Sequence, residues 1–571
     1  MENSFLLLRG WQIAVLMLLT LIGPVARAQA PSWQSAIAVN ASMDKVVADA
    51  FGNMYLTGSF SGSAVFGPTT LNSVGGKDIF VAKWNISTNR FVWAIGAGGV
   101  NDDQATAIAL SGTSLYVAGS FASLVASFGN STISNPTTAV ANLFIAKLYD
   151  GGSTCSFAWA QRANGTATAL AVNGTNVYVT GYFDASVAYI GSTVLINADL
   201  QNRHLEDIFV AKLADMGSSG NFAWALRGGG LAHDAATALV VNGANVYIAG
   251  NLGSMPASFG AFSISSAGGY DVFVAKVVDA GNVADFAWAQ RAGGPGSDYA
   301  QALASEGTNL YLTGSRTSND VSFGANTPIV SPIYGSVGNL FIAKLTDAGS
   351  NGNFTWVASS SSFFGNIAAV TASGTNVFVA GAFGGVAGAF GTTMLNNSHI
   401  FTGPPSNVPS FEIFVAKLID AGATGDFVWA LRAGGTDFDE AKTIALRGGR
   451  LLVTGYYRNR ADFGSYTLAN SLGFFASIEE VPLASVSAHL QAELKIFPNP
   501  AHGRATIQLP AVPGAATATL TILDALGRTL RTQTAATNTK ADLDLTGLAP
   551  GLYAVRVAAG GNTATQKLVV E

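Results

Sequence analysis

At 571 residues the chain is too long for one ordinary core and suits a large repeat domain with a smaller one attached. Charged residues are only 11% of it, glycine fills 66 positions, and the formal net charge is −5. That balance favours sheet and tight turns over helix and lacks the basic footprint of a nucleic-acid binder.

Arg9, the apolar run "WQIAVLMLLTLIG" and small residues at Ala26, Ala28 and Ala30 read as a secretory signal peptide over residues 1–28. A retained membrane anchor is the alternative. No later segment has the ~20 unbroken apolar residues of a spanning helix, so the mature chain is expected to lack a transmembrane segment. The single cysteine, Cys155, excludes an internal disulfide and a Cys-based metal site. It is expected as a small buried or half-buried residue.

From residue 31 to 480 one phrase keeps returning: "DIFVAK" at Asp78 and Asp207, "DVFVAK" at Asp271, "EIFVAK" at Glu412, "NLFIAK" at Asn142 and Asn339. A seventh copy, "GFFASIEE" from Gly473, carries Ser477 where the lysine would be. Trp33, Trp93, Trp159, Trp224, Trp288, Trp356 and Trp429 keep the same rhythm. Such a period marks a repeat architecture. Each unit offers a hairpin ("ATALAVNGTNVYVTGYF" at Ala167), then a variable stretch with an aromatic-Gly pair such as Phe66-Gly67 or Phe259-Gly260, with Ile190-Gly191 in the third. The "DIFVAKL" strand and a "FAWALR" strand follow, making four strands per unit.

"IFVA" is apolar at every position, so both faces of that strand need cover. Neighbouring blades of a propeller supply it. The last unit lacks a "FxW" strand and the first begins with an orphan "SWQSAIAV", so the opening strand is expected to complete the last of seven blades. The tryptophans read as packing devices, with sugar-stacking platforms as the alternative. These units resemble the bacterial β-propeller repeat family, with "GG…D…A…A…GN.Y.TG" followed by "D.F.AK", over about residues 33–480. The resemblance implies the fold and leaves the function open.

Residues 481–492 read as a linker. Residues 493–571 alternate apolar segments with Pro and Gly turns, as in a small immunoglobulin-like β-sandwich, so the whole chain is expected to be all-β. Their phrases resemble the type A C-terminal sorting domain of the type IX secretion system of Bacteroidota. The matching residues are Pro498, Asn499 and Pro500, Gly527 and Arg528, Gly551 and Tyr553 in "GLAPGLYAVRV", and the terminal Lys567. The resemblance implies a secreted or surface location, with the secretion machinery and its sortase-like protease as partners. An ordinary adhesion sandwich is the alternative. Arg528 and Lys567 read either as recognition residues or as solvated strand ends.

The recurring lysines precede Asp150, Asp215, Asp279, Asp347 and Asp420 by three residues and read as snorkelling lysines beside turns. The loops "GGVNDDQ", "GGLAHDA", "GGPGSDY" and "GGTDFDE" place Asp103, Asp234, Asp298 and Asp439 equivalently. They read as turn formers or as staples to Arg227, Arg291 and Arg432, seven residues earlier, or else as ligand contacts. Acid–base work on a glycoside and a calcium site stay open there. The five histidines form no close pair, and no nucleophile elbow or phosphate-binding glycine loop occurs in context.

The between-unit loops and the variable loops are expected to share one face. The candidate binding residues there are His233, Asp234, Tyr270, Asp298, Tyr299, Tyr334, Phe364, Phe401 and Asp439. The aromatic ones read equally as plugs between blades. The expectation is a monomeric, non-catalytic glycan- or protein-binding or structural module outside the cell, without a cofactor. The alternatives are a polysaccharide hydrolase or lyase using loop carboxylates, and an adhesin or surface-layer component.

Overall fold

In the computed structural model Asn173 and Asn176 pair across a two-residue turn whose first residue, Gly174, has φ +62°. A side chain resists that conformation, so the "NGTN" phrase sets the hairpin. Gly112, Gly243, Gly307, Gly374 and Gly448 repeat it with φ between +57° and +62°. The residues described are 31–49, 51–136, 141–201, 203–318, 320–324, 328–330, 339–360, 364–397, 410–480, 494–512, 515–524, 529–559 and 562–571. The proposed leader 1–28, the linker 481–492, Tyr334, Phe401, Gly527 and Arg528 fall outside them, as does the side chain of Phe364.

The described residues are all-β and contain no helix. Contacts divide the chain into Met1–Glu480 and Val481–Glu571. In the first unit the third repeat shows the pattern. Thr166–Asn173, Asn176–Phe183, Asp207–Asp215 and Gly220–Gly230 pair antiparallel in chain order. Ile208, Phe209, Val210 and Ala211 in its third strand have no exposed surface. Val210 and Ile208 pack towards the fourth repeat with Ile248, Phe273 and Ala275, while Phe209 and Ala211 pack towards the second with Leu143 and Ile145. The all-apolar strand is covered on both faces by neighbouring sheets, as its composition requires.

Among the described residues this four-stranded order occurs seven times. The first strands, Ser42–Ala48, Asp103–Ser111, Thr166–Asn173, Asp234–Asn242, Asp298–Glu306, Phe364–Ser373 and Glu440–Arg447, pack in succession. The last of them packs on the first. The opening strand Trp33–Val39 pairs antiparallel with Gly473–Glu479 of the seventh sheet, Ile37 opposite Phe475.

Two features differ from the sequence expectation. The variable stretch of each repeat is itself a short hairpin, so a repeat carries six strands where four are predicted. The aromatic-Gly pair forms its turn, and the hairpin docks on the fourth strand of the preceding sheet, as Ala257–Phe259 does on Gly228, Gly229 and Gly230. Three- and four-residue strands carry too little periodicity to show in sequence.

The second difference concerns Trp33. In five repeats the hairpin phenylalanine meets, edge to face, the phenylalanine two residues before the tryptophan; Phe128 and Phe157 are 5.5 Å apart at 88°. Phe463 meets Trp33 in this way, at 5.0 Å and 87°. Trp33 therefore occupies the phenylalanine position and is not the first of the tryptophan series. Ser35 stands in the tryptophan place, opposite Ser477 and hydrogen-bonded to it at 2.7 Å.

In the second unit a three-stranded sheet (Lys495–Phe497, Arg504–Gln508, Lys540–Asp544) and a four-stranded sheet (Thr529–Ala536, Thr517–Leu523, Gly551–Ala559, Asn562–Val570) share one apolar core. Ile507, Leu520, Leu543, Val555 and Leu568 fill it.

Candidate functional site

The repeated lysines are structural. Lys83, Lys147, Lys212, Lys276 and Lys344 are buried and reach carboxylates of the following sheet, at Asp150, Asp215, Asp279, Asp347 and Asp420, over 2.5 to 2.7 Å. Lys417 reaches Glu480. They do not snorkel beside their own turn. Each Asp also accepts from a tyrosine hydroxyl and a tryptophan indole of the sheet before it: Asp279 takes Tyr178 at 2.6 Å and Trp224 at 3.0 Å. Burial alone would raise these five carboxyls, but the lysine, tyrosine, tryptophan and backbone donors hold them below the usual range. The junction of the seventh sheet with the first lacks both halves of the pair, with Ser477 in place of the lysine and Ile86 in place of the aspartate. Cys155 is half-buried, its thiol pushed up to about 12 by burial and by Asp150, which disfavours the thiolate.

The loop aspartates lie under the opposite end of the sheets. Asp234 is fully buried and accepts from the backbone N–H groups of Gly230, Gly253 and Ser254 and from the Ser254 hydroxyl. Asp103 and Asp298 repeat this with Ser123 and Ser318. Asp439 has Asn459 where the others have serine, so only Arg458 and Gly435 N–H groups reach it. Burial, with Glu412 and Asp437 adding repulsion, pushes its pKa up to about 7. The arginines do not staple these residues. Arg227, Arg291 and Arg432 pair with Asp207, Asp271 and Glu412, the first residues of their own third strands. A fourth strand lies directly beside the third, so twenty residues in sequence become one step in space.

The between-unit loop meets the loop before the third strand, as the Asp298 N–H donates to the Tyr270 carbonyl at 2.6 Å. Two aromatic groups stand on this face. Tyr270 and Tyr299 are 5.6 Å apart, with His233 nearby held 3.1 Å from Glu206. Phe411 and Phe438 are 4.6 Å apart, and Phe438 stacks on Tyr456 at 5.7 Å. His233, Tyr270 and Tyr299 thus come together, while Asp234, Asp298 and Asp439 are enclosed beneath the loops.

Between the first strands lies a cavity of about 430 Å³, lined by Asp44, Lys45, Thr106, Thr237, Asn251, Tyr299, Ala300, Gln301, Asn366, Ala368, Glu440 and Lys442. That volume suits a small ligand. Its walls follow from a bulge in every first strand, for example between Ala105 and Ala107 or Ala236 and Ala238. The bulged residue is Thr106, Thr168 or Thr237 in three successive sheets, and each threonine hydroxyl donates to a carbonyl of the next sheet, at Ala167, Ala236 or Ala300. The other sheets break the pattern with Gln301, Ala368, Lys442 and Asp44. Lys442 pairs with Glu440 at 2.9 Å and lies 5.3 Å from the Tyr456 ring centre. The Gln301 side-chain oxygen is buried and has no hydrogen-bond partner among the described residues. Sequence reasoning passed over these residues. The signal was present: superposing the repeats on "Thr-Ala" at 106–107, 168–169 and 237–238 exposes Asp44-Lys45, Gln301-Ala302 and Lys442-Thr443 as departures. Among the described residues no three His, Cys, Asp or Glu side chains gather as a metal-holding group.

In the second unit Asn499 clamps the last strand, donating to the Lys567 carbonyl at 2.7 Å and accepting from the Val569 N–H at 2.8 Å. Pro498 and Pro500, both exposed, flank it after cis peptide bonds. The Tyr553 hydroxyl donates to Ala549, Gly551 opens the strand that carries Tyr553, and the Lys567 side chain is exposed.

Residues 495–571 match the secretion system C-terminal sorting domain family. The chain thus carries the sorting tail of type IX secretion, a mark of export to the cell surface. No curated protein matches the chain. Among solved structures it is similar to PorZ, described as an essential bacterial surface component of the type-IX secretion system of Porphyromonas gingivalis. The identity is 12%, over 93% of this chain and 86% of that one, with a TM-score of 0.17. No helix among the described residues is long and apolar enough to cross a membrane.

Proposed function

We propose that residues 31–480 form a seven-bladed β-propeller that binds a glycan or a protein outside the cell without transforming it. Seven four-stranded sheets, successive packing of their first strands and completion of the seventh sheet by the opening strand support the propeller. The two facing sheets of residues 493–571 support an immunoglobulin-like sandwich. Its partners are the type IX machinery and a sortase-like protease that removes it, after residues 1–28 have directed the chain to the periplasm.

The observation that carries the binding reading is the cavity at which the repeat breaks, with aromatic groups beside it. Packing repeats; a ligand needs singular residues. The hydrolase or lyase reading needs a loop carboxylate to meet substrate, and Asp234, Asp298 and Asp439 are enclosed and hydrogen-bonded to backbone. The test is a glycan array and a surface-protein capture screen, run beside hydrolysis assays on the same sugars. The expected result is retention of a ligand that Tyr299→Ala weakens, without turnover. Turnover abolished by Asp234→Asn or Asp298→Asn would replace this reading with the enzymatic one.

A further inference from the structure

Position 45 is the departure with the most chemical content. Lys45 follows the bulge of its strand, in the register where five of the other six sheets carry alanine (Ala107, Ala169, Ala238, Ala302 and Ala369) and the remaining one Thr443. A four-carbon cationic side chain replaces a methyl group on the innermost strand. It lines both this cavity and a second, smaller one, and Thr237 and Gln301 line both with it.

The cavity carries two carboxylates, Asp44 and Glu440, beside Lys45 and Lys442, and neither carboxylate pairs with Lys45. Glu440 is engaged by Lys442 and by the Asn366 amide. Asp44 accepts from the Ser42 hydroxyl. Among the described residues no carboxylate forms an ion pair with the Lys45 ammonium. Lys442 faces the same space with the same sign. Burial pushes the Lys45 pKa down, Asp44 opposes the shift and Lys442 adds to it. Lys45 is half-buried on the cavity wall, where its ammonium has no ion-pair partner and can meet an incoming anion. Nearby, the Asn251 oxygen accepts the Ala300 N–H, which leaves its amide nitrogen to donate, and the Gln301 oxygen has no partner among the described residues. These amides suit hydroxyl groups, and Tyr299 on the wall gives a ring face to stack on.

We infer that the axial cavity takes an acidic glycan, with the carboxylate of a uronate residue on Lys45, the sugar hydroxyls on Asn251 and Gln301, and a ring on Tyr299. This rests on the binding reading above and names its ligand class.

The experiment is calorimetric titration of the full secreted chain with galacturonate, glucuronate and mannuronate trisaccharides, each beside its methyl ester, which keeps the sugar and removes the charge. At least one acid form is expected to bind about tenfold or more tighter than its ester, the size of a charge-assisted contact. Lys45→Met should reduce the acid form to the level of the ester, and Lys45→Arg should keep part of the preference. A thermal melt of each variant separates lost binding from lost folding. Equal affinity for acid and ester, or a preference that survives Lys45→Met, overturns the inference. If Tyr299→Ala still weakens both forms equally, the binding reading stands while the inference falls. If no trisaccharide binds but a protein ligand is captured through the same face, the inference again falls alone. If neither glycan nor protein binds, both fall.

Discussion

The ammonium of Lys212 lies 2.7 Å from the carboxylate of Asp279, which ends the third strand of the next sheet. The six-fold phrase of the sequence is the record of this contact: a lysine in one repeat and a carboxylate in the next, an aspartate five times and Glu480 once, make one junction. Removing one member of a buried pair costs roughly 3–5 kcal/mol. Lys212→Met strands one carboxylate that keeps Tyr178 and Trp224 as donors; Asp279→Ala leaves the tyrosine and the indole without that acceptor and the lysine with only the Gly281 carbonyl. Asp279→Ala is therefore expected to lower the urea midpoint more than Lys212→Met, as read by tryptophan fluorescence. The reverse order would contradict the network.

Stability should respond to pH from two sides. Asp150, Asp215, Asp279, Asp347 and Asp420 have folded pKa values below the unfolded value of 3.8. Their contribution is complete above that value and is lost as pH falls through the folded ones. Asp44, Asp78, Asp103, Asp207, Asp234, Asp271 and Asp439 run the other way, raised by burial, and Asp439 is the one raised to about 7. Its pKa of about 7 means its contribution is complete below 3.8 and is lost as pH rises through 7. Melting temperature measured from pH 3 to 8 should fall steeply at the acid end. It should also decline between about pH 4 and 7 and level off above, and the decline should shrink in Asp439→Asn.

Trp33 at a phenylalanine position gives a sharp contrast. Trp33→Phe restores the residue that all six other repeats carry there, gives up only the indole bond to the Arg432 carbonyl, and should change the unfolding midpoint little. Trp33→Ala leaves Phe463 facing a cavity and should cost about 3–5 kcal/mol. Equal losses in both would return Trp33 to the tryptophan series.

The repeat, the turn glycines and the doubly covered strand were legible because each states a local requirement. "NGTN" needs positive φ at its glycine, and "IFVA" needs cover on two sides. The sorting tail was legible through its phrases. The lysine partners were not, because pairing across sheets depends on which repeat stands next to which, and Asp150 is nearer in sequence to Lys147 than to Lys83. The arginine partners failed for the same reason. The cavity was hidden because Lys45 and Gln301 depart from a pattern that becomes visible only once the bulges fix the register.

In the sorting tail, Asn499→Ala removes both bonds that hold the final strand at Lys567 and Val569. The expected loss is about 1–3 kcal/mol in the isolated stability of the tail. Cell fractionation should show less of the chain at the surface and more in the periplasm. Deleting residues 495–571 should retain it in the periplasm entirely, and normal surface delivery of that truncation would remove the sorting assignment.

The cavity and Lys45's place in it exist only if the seven sheets close through the opening strand. Ser35 and Ser477 stand opposite each other with their hydroxyls 2.7 Å apart, and Cys155 is the one native cysteine. A Ser35→Cys, Ser477→Cys variant, oxidised in the folded state and run on a non-reducing denaturing gel, tests that closure directly. A fast-migrating, internally cross-linked monomer that reverts on reduction is the predicted result. Two thiols that both stay free, or that link only between chains, would contradict it.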